Sequence, residues 1–275
     1  MLLEHIVYCK RKEIARQETA VPLGILTSAL DSAVKPRGFR KRIINNSGIS
    51  IIAEVKQASP VKGLLSSSFD PVRLAKAYRH GNAGAISVIT EEHFFRGSPG
   101  YIARIKKAVD LPVMRKDFIF SEYQVFESRI IGADAILLIV SILDSYMLKR
   151  LIALAGNLGM DALVEVHDQS ELERALLAGA KIIGINNRNL KTFEVSLSTT
   201  LELVSHVPAE IPVISESGIA TRAEIELLQQ AGIKAVLIGE ALVRSADPSL
   251  LLQELRGEGK KGAKLAGKRT TMSCG

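Results

Sequence analysis

The chain has no tryptophan, only two cysteines, and few aromatic residues of any kind, 5% in all. Cys9 and Cys274 lie near opposite ends and match no metal-ligand or redox spacing, which argues against a centre built on cysteine and suits a reducing compartment. Five scattered histidines imply no metal site either. No apolar run approaches the roughly 20 residues needed to cross a bilayer, and Glu4 and His5 interrupt the one apolar segment that could serve as a signal peptide. The expectation is a cytoplasmic protein without a membrane role. What is present is a chain of 275 residues, 47% hydrophobic and 24% charged, enough for one large core or two smaller ones.

The formal charge of +7 raises the question of nucleic acid. From Arg256 onward, RGEGKKGAKLAGKRTTMSCG carries six basic residues against one acid, so five of the seven excess charges sit there. Rich in glycine and lysine and poor in large apolar groups, residues 256–275 read as a solvated tail, with a weak polyanion-binding arm as the alternative. The remaining body is near neutral, so no specific nucleic-acid partner is expected.

Short β-branched runs recur every 20 to 30 residues with amphipathic helical patterns between them. They cover 51–56, 84–90, 112–117, 134–140, 162–166, 181–186, 212–215 and 235–239. Most are apolar on both faces, as strands must be in a parallel sheet covered by helices. DPVRLAKAYRHG, DQSELERALLAG and TRAEIELLQQAG each run from a capping residue to a glycine. Eight such units predict a closed (β/α)8 barrel, the TIM barrel, over 1–255, including an N-terminal helical extension at about 1–48. A doubly wound open sheet is the alternative, but it usually brings a glycine-rich loop after its first strand, and QASPVKGLLSSSFDP is no such loop.

Polar residues gather where the strands end, the face on which such barrels build active sites. IIAEVK ends in Glu54 and Lys56, which share one strand face. PVMRKDF ends in Arg115, Lys116 and Asp117; ALVEVH in Glu165 and His167; GINNRN in Asn186, Asn187 and Arg188; ISESG in Ser215, Glu216, Ser217 and Gly218. Glu54 with Lys56 alone is equally at home as a barrel-plugging ion pair. Two carboxylates and two lysines from separate strands point instead to chemistry. Arg115 and Asp117 alternate with Lys116, so they face the helices and pair with each other. His167 reads as a surface or supporting group. Gly218 and Gly239, the second at a helix start, leave backbone N–H groups free for an anion such as phosphate, or else only permit tight turns.

IIAEVKQASPVKG, PVMRKDF, GADAILLI, LVEVH, IGINNRNLKTFEV, SESGI and IGEALVR, in this order, resemble indole-3-glycerol phosphate synthase over roughly residues 3–255. The resemblance implies conversion of 1-(2-carboxyphenylamino)-1-deoxyribulose 5-phosphate to indole-3-glycerol phosphate, with loss of carbon dioxide and water, in tryptophan biosynthesis and without a cofactor. It implies Lys116 as general acid for ring closure and Glu165 as base, or with Lys56 as acid in the dehydration. Which lysine serves which step stays open. It implies that Glu54 orients the lysines, Asn186 bonds a substrate hydroxyl, and Ser59 sits in a loop closing over the ligand. Ser217, Gly218, Gly239 and Glu240, with Lys56, would hold the phosphate, and Arg188 would contact polar substrate groups. Phe95, Phe118, Leu137 and Leu190 would line the slot for the aromatic ring. Lysine is a poor acid at its ordinary pKa, so burial and neighbouring cations are expected to tune it.

Val61, Ser196 and Asn82 depart from the family's habits, none at a proposed catalytic position, and the basic tail lies outside its pattern. Without tryptophan, any aromatic cover from the N-terminal helix must come from elsewhere. A phosphosugar isomerase, a Schiff-base aldolase using Lys56 or Lys116, and a phosphate-sensing module are rival readings. The expected partner is a small phosphorylated substrate; oligomeric state stays open, leaning to a monomer.

Overall fold

A computed structural model describes residues 2–45, 48–190 and 192–258; the basic tail beyond Glu258 lies outside them. Eight parallel strands close into a barrel: β1 (Ser50–Val55), β2 (Ala85–Ile89), β3 (Val113–Lys116), β4 (Ala135–Ile139), β5 (Asp161–Val166), β6 (Ile183–Asn186), β7 (Val213–Glu216) and β8 (Ala235–Ile238). Each pairs with its neighbours in sequence, and β1 closes on β8 through Ser50 opposite Ala235. The strands fall within one or two residues of the sequence-based limits. Their near-complete burial has two sides: one row of side chains meets the helices, the other fills the lumen.

Caps begin the helices as their sequences require. The Asp70 carboxylate accepts from the Val72 and Arg73 N–H groups at 2.9 and 3.2 Å, and Thr221 and Glu224 form a reciprocal capping box. Gly179 and Gly232 end their helices in the left-handed conformation, at φ +87° and +86°. Gly81 does not. Its φ is −74°, and the left-handed residue is Asn82 at φ 61°. Gly81 is needed for space, because a Cβ there would lie 2.8 Å from that of Leu252 in the closing helix Pro248–Arg256. Asn82 thus stands where a glycine is frequent because asparagine tolerates positive φ better than other side chains.

The extension covers both ends of the barrel. Helix α1 (Leu2–Ala20) reaches the rim, whereas the short helix Phe39–Ile44, which the sequence pattern did not resolve, buries Phe39 and Ile43 against the lumenal residues Ile52, Met114 and Ile214. It plugs the bottom. Two arginines clip this segment down: the Arg37 guanidinium donates to the carbonyls of Lys106, Val109 and Leu111, and its N–H to Asp134; the Arg40 N–H donates to Asp161. Six residues are too short a run for periodicity to show, so the plug stayed hidden in sequence. No helix among the described residues is long and apolar enough to cross a membrane.

Candidate active site

The pleat sorts the strand-end residues. In β3, Met114 joins the lumenal cluster and Lys116 follows it, whereas Arg115 and Asp117 turn outward. As expected, that outer pair is structural. Arg115 donates to Asp117 at 3.1 Å, Glu127 at 2.6 Å, Thr90 at 3.1 Å and Ser128 at 3.1 Å. Lys10 of α1 joins it from outside the barrel, its ammonium 3.3 Å from Asp117 and 3.0 Å from Glu13.

At the mouth, Glu54, Lys56, Lys116, Glu165, Asn186 and Glu216 converge on one cavity of about 760 Å³. The Lys56 ammonium donates to Glu54 at 2.6 Å, and Lys116 to Glu216 at 2.6 Å, with Glu165 at 3.5 Å on its other side. Asn186 donates to Glu165 at 3.1 Å. Behind Glu165 lies His167, Nε2 at 3.3 Å, which is itself held by Glu171 at 3.0 Å. Tyr78 donates to the Glu54 carbonyl at 3.0 Å and anchors the end of β1.

Glycines make room for two of these carboxylates. A Cβ at Gly184 would stand 2.5 Å from Glu216 Oε1, and one at Gly239 would collide with Glu54 Oε1. Neither position could carry a side chain with the glutamates where they are.

The charges tune one another. Burial would lower the Lys116 pKa, but Glu216, Glu165 and Glu54 outweigh it and hold the ammonium well above the usual lysine range. The expectation of neighbouring cations is corrected here: anions surround this lysine and favour its charged form. Burial raises Glu216, repulsion from Glu165 and Glu54 adds to it, and Lys116 only partly offsets them, leaving Glu216 at about 7. Glu165 feels the same burial, but Lys116, His167 and Asn186 bring it down to about 2. For Glu54, Lys56 and Lys116 likewise overcome burial and depress the carboxyl.

The remaining sequence candidates line the same cavity. Ser59 lies in a small hairpin after β1, whose two short strands are Ala58–Ser59 and Gly63–Leu64, and accepts from the Lys62 N–H at 3.0 Å; Val61 in its loop also faces the cavity. Phe95 and Phe118 pack with ring centroids 6.3 Å apart, with Leu137 and Leu190 on the same walls. Arg188 reaches the Phe193 carbonyl at 3.3 Å and borders the opening. The missing aromatic cover from α1 is replaced by aliphatic side chains, Leu2, Leu3 and Ile6. Ser196 accepts from the Ser198 N–H at 3.3 Å.

Ser217 and Gly218 both take positive φ, +68° and +77°. A Cβ on Gly218 would meet Val195 at 2.5 Å, and Asn187 pins the turn by donating to the Ser217 carbonyl at 3.0 Å. Gly239 opens the short helix Glu240–Arg244. The Glu240 carboxylate accepts from Arg244 at 3.2 Å, which offsets the negative charge it would otherwise bring to an anion.

Two of the lining carboxylates had no role in the sequence reading. Glu216 was visible at the end of its strand, two positions from lumenal Ile214, the same spacing that singled out Glu54. Glu91 follows Ile89 by the same step; it is buried, and accepts the N–H groups of His93, Phe94 and Phe95 at 3.0, 2.7 and 3.0 Å, fixing the loop that carries Phe95.

Among solved structures, 3-hexulose-6-phosphate synthase from Salmonella typhimurium aligns with a TM-score of 0.63 at 14% identity, covering 76% of this chain and 97% of that one. A tryptophan synthase alpha-subunit from Pyrococcus furiosus aligns at 0.58 and 16%, covering 76% and 98%. At such identities they show the barrel fold alone. The indole-3-glycerol phosphate synthase of Polaromonas sp. is 46% identical over 259 residues, 93% of this chain and 98% of the relative. That of Caldanaerobacter subterraneus is 47% identical over 244 residues, 89% and 94%. The family model for indole-3-glycerol phosphate synthase matches residues 3–255, and the chain belongs to that family.

Proposed function

We propose that this cavity closes the indole ring of 1-(2-carboxyphenylamino)-1-deoxyribulose 5-phosphate, releasing carbon dioxide and water, with the residues above in the following roles. The observation that carries the reading is Lys116 held between Glu216 and Glu165, inside a cavity with apolar walls and a turn-rich rim.

The aromatic ring packs between Phe95, Phe118, Leu137 and Leu190, with the α1 aliphatics above. The phosphate rests on backbone N–H groups of the Ser217–Gly218 turn and of Gly239 and Glu240, with Lys56 as counter-charge, while Asn186 and Arg188 hold hydroxyl and other polar groups. When the ring carbon bearing the carboxylate attacks the sugar carbonyl, the oxygen becomes a developing alkoxide. That is a far stronger base than Glu216, so Lys116 gives its proton there. The attack leaves a cationic, iminium-like ring, stabilised by the buried anions Glu54 and Glu165. Departure of carbon dioxide returns the electron pair to the ring. In the dehydration the new hydroxyl leaves as water with a proton from Lys56, since Lys116 has already given up its own, and Glu165 takes the proton from the adjoining carbon. Once Lys116 has given up its charge, one of the forces depressing Glu165 is gone, and the carboxylate becomes a better base for the later step. The Ser59 hairpin closes over the ligand and excludes water. The cavity suits a single substrate, and a monomer would suffice, since all these groups come from one chain.

The test is fluorescence detection of the indole product from the carboxyphenylamino substrate. The parent chain is expected to be active and Lys116→Met inactive with an unchanged circular dichroism spectrum; an active Lys116→Met would remove Lys116 from its role. Borohydride should trap no adduct, which separates this reading from a Schiff-base aldolase.

A further inference from the structure

His167 lies one residue beyond β5, a half-hidden side chain whose placement has a pattern. Its Nδ1 lies 3.0 Å from Glu171 Oε2, and the same oxygen accepts the His167 backbone N–H at 2.9 Å. One carboxylate therefore fixes the residue at two points. The other ring nitrogen is aimed inward. Nε2 is buried, has no aligned hydrogen-bond partner, and stands 3.3 Å from Glu165 Oε1. That same oxygen already accepts from Asn186 at 3.1 Å. Oε1 is thus engaged from behind by two groups, while Oε2 faces Lys116 at 3.5 Å.

We infer that His167, carried by Glu171, is a positioning residue of this active site: it pins Glu165 through Oε1, so that Oε2 alone is presented to Lys116 and to substrate. The inference rests on the proposed role of Glu165. The pattern has a plain electrostatic logic. With a carboxylate at each nitrogen, the imidazole is held as a cation, pushed up to about 10 in spite of its burial. A cation fixed by the protein rather than brought by substrate keeps Glu165 ionised until its own step as a base, including the moment when Lys116 has lost its charge. The other charged groups around the pair are Lys116 from β3, Glu54 from β1, Glu216 from β7, and Asp168, whose carboxylate caps the following helix at the Glu171 N–H, 2.9 Å away. None of these touches the imidazole within hydrogen-bond distance. Glu171 and Glu165 do.

The variant that isolates the effect is His167→Gln, which can still donate a hydrogen bond but carries no charge. Carboxyl carbons of isotopically labelled glutamate are followed by NMR against pH, with the Glu165 resonance identified by its loss in Glu165→Gln. In the parent that resonance is expected to stay ionised down to the acid limit of folding. In His167→Gln its midpoint should rise by at least one pH unit, with the acid limb of the kcat profile moving to higher pH by the same amount and KM nearly unchanged. Glu171→Gln should give a smaller shift in the same direction and should let the imidazole titrate below pH 9. His167→Arg, which restores a cation, should move the acid limb of the kcat profile part of the way back. An unmoved Glu165 midpoint in His167→Gln would overturn the inference, as would an equal loss of kcat at every pH. Failure of the underlying reading looks different: Glu165→Gln would then turn over normally, whatever His167 does to the resonance.

Discussion

At the scale of single residues, the site is a competition between burial and charge in which near neighbours reach opposite outcomes. Glu165 and Glu216 flank the same ammonium, yet one is drawn to about 2 and the other left at about 7. The difference lies in what stands behind each: Glu165 has His167 and Asn186, whereas Glu216 Oε1 is buried without a partner beside Gly184. Glu165→Gln is therefore expected to cost on the order of 100-fold or more in kcat while a phosphorylated product analogue binds within a few-fold of the parent, as read by steady-state kinetics and calorimetry; equal losses in both would mark Glu165 as structural. Gly239→Ala should be nearly as harmful as loss of Glu54 itself, because the added methyl group occupies the place of its carboxylate. The expected signature is a large drop in kcat with a cooperative unfolding transition still intact. Glu54 was legible from alternation alone. The pairing of Glu216 with Lys116 was not, since the two lie 100 positions apart and nothing local records it.

At the scale of elements, the N-terminal helix behaves as a wall of the active site. Lys10 is buried, and its ammonium meets Asp117, the residue next to Lys116, so α1 is tied to the end of β3 by charge as well as by apolar contact. His5 adds an edge-on contact with Phe94, and Leu2, Leu3 and Ile6 face the ligand cavity. Lys10→Met should lower stability by about 1 to 2 kcal/mol, because Asp117 loses one cationic neighbour but keeps Arg115, visible as a lower urea midpoint at unchanged slope. It should also raise KM as the wall loosens, while Lys116→Met leaves that wall in place. A KM identical to the parent's would mean that α1 is only a lid over the surface. Elements with strong periodicity or strong caps were readable in the sequence, as the Asp70 and Thr221 helix starts illustrate. Phe39–Ile44 was not, because a six-residue plug takes its conformation from the pocket it fills.

For the whole molecule, the mouth of the barrel works against the stability that the rest supplies, a common consequence of gathering charges for function. The signs can be assigned. Glu165 is depressed, so its contribution is present above the ordinary carboxylate range and fades as pH falls toward about 2. Glu216 is raised, so its contribution is complete below that range and is lost as pH rises through about 7. His167 is raised as well, so what it adds is complete below its ordinary value of about 6.5 and is lost as pH rises from there through about 10. Between about pH 5 and 6.5 the Glu216 loss therefore dominates, and Tm should fall across that window in the parent. In Glu216→Gln the fall should be much smaller, as calorimetry at several pH values would register, even though the variant loses activity. A parent whose Tm is flat across the window would contradict the raised carboxyl.

The sequence by itself determined the strands, the caps and which face of each strand turns inward, because these follow from the alternation of side chains along a pleat and from hydrogen bonds within a few residues. It also carried the motifs by which the chain resembles its family. Only the tertiary structure decided which charges meet: that Lys116 lies between two glutamates rather than near cations, that His167 stands behind Glu165, and that Lys10 crosses to Asp117. The reason is range. Backbone geometry is settled by neighbours along the chain, whereas the charge state of a buried group depends on every charge that closure of the barrel brings within a few ångströms of it.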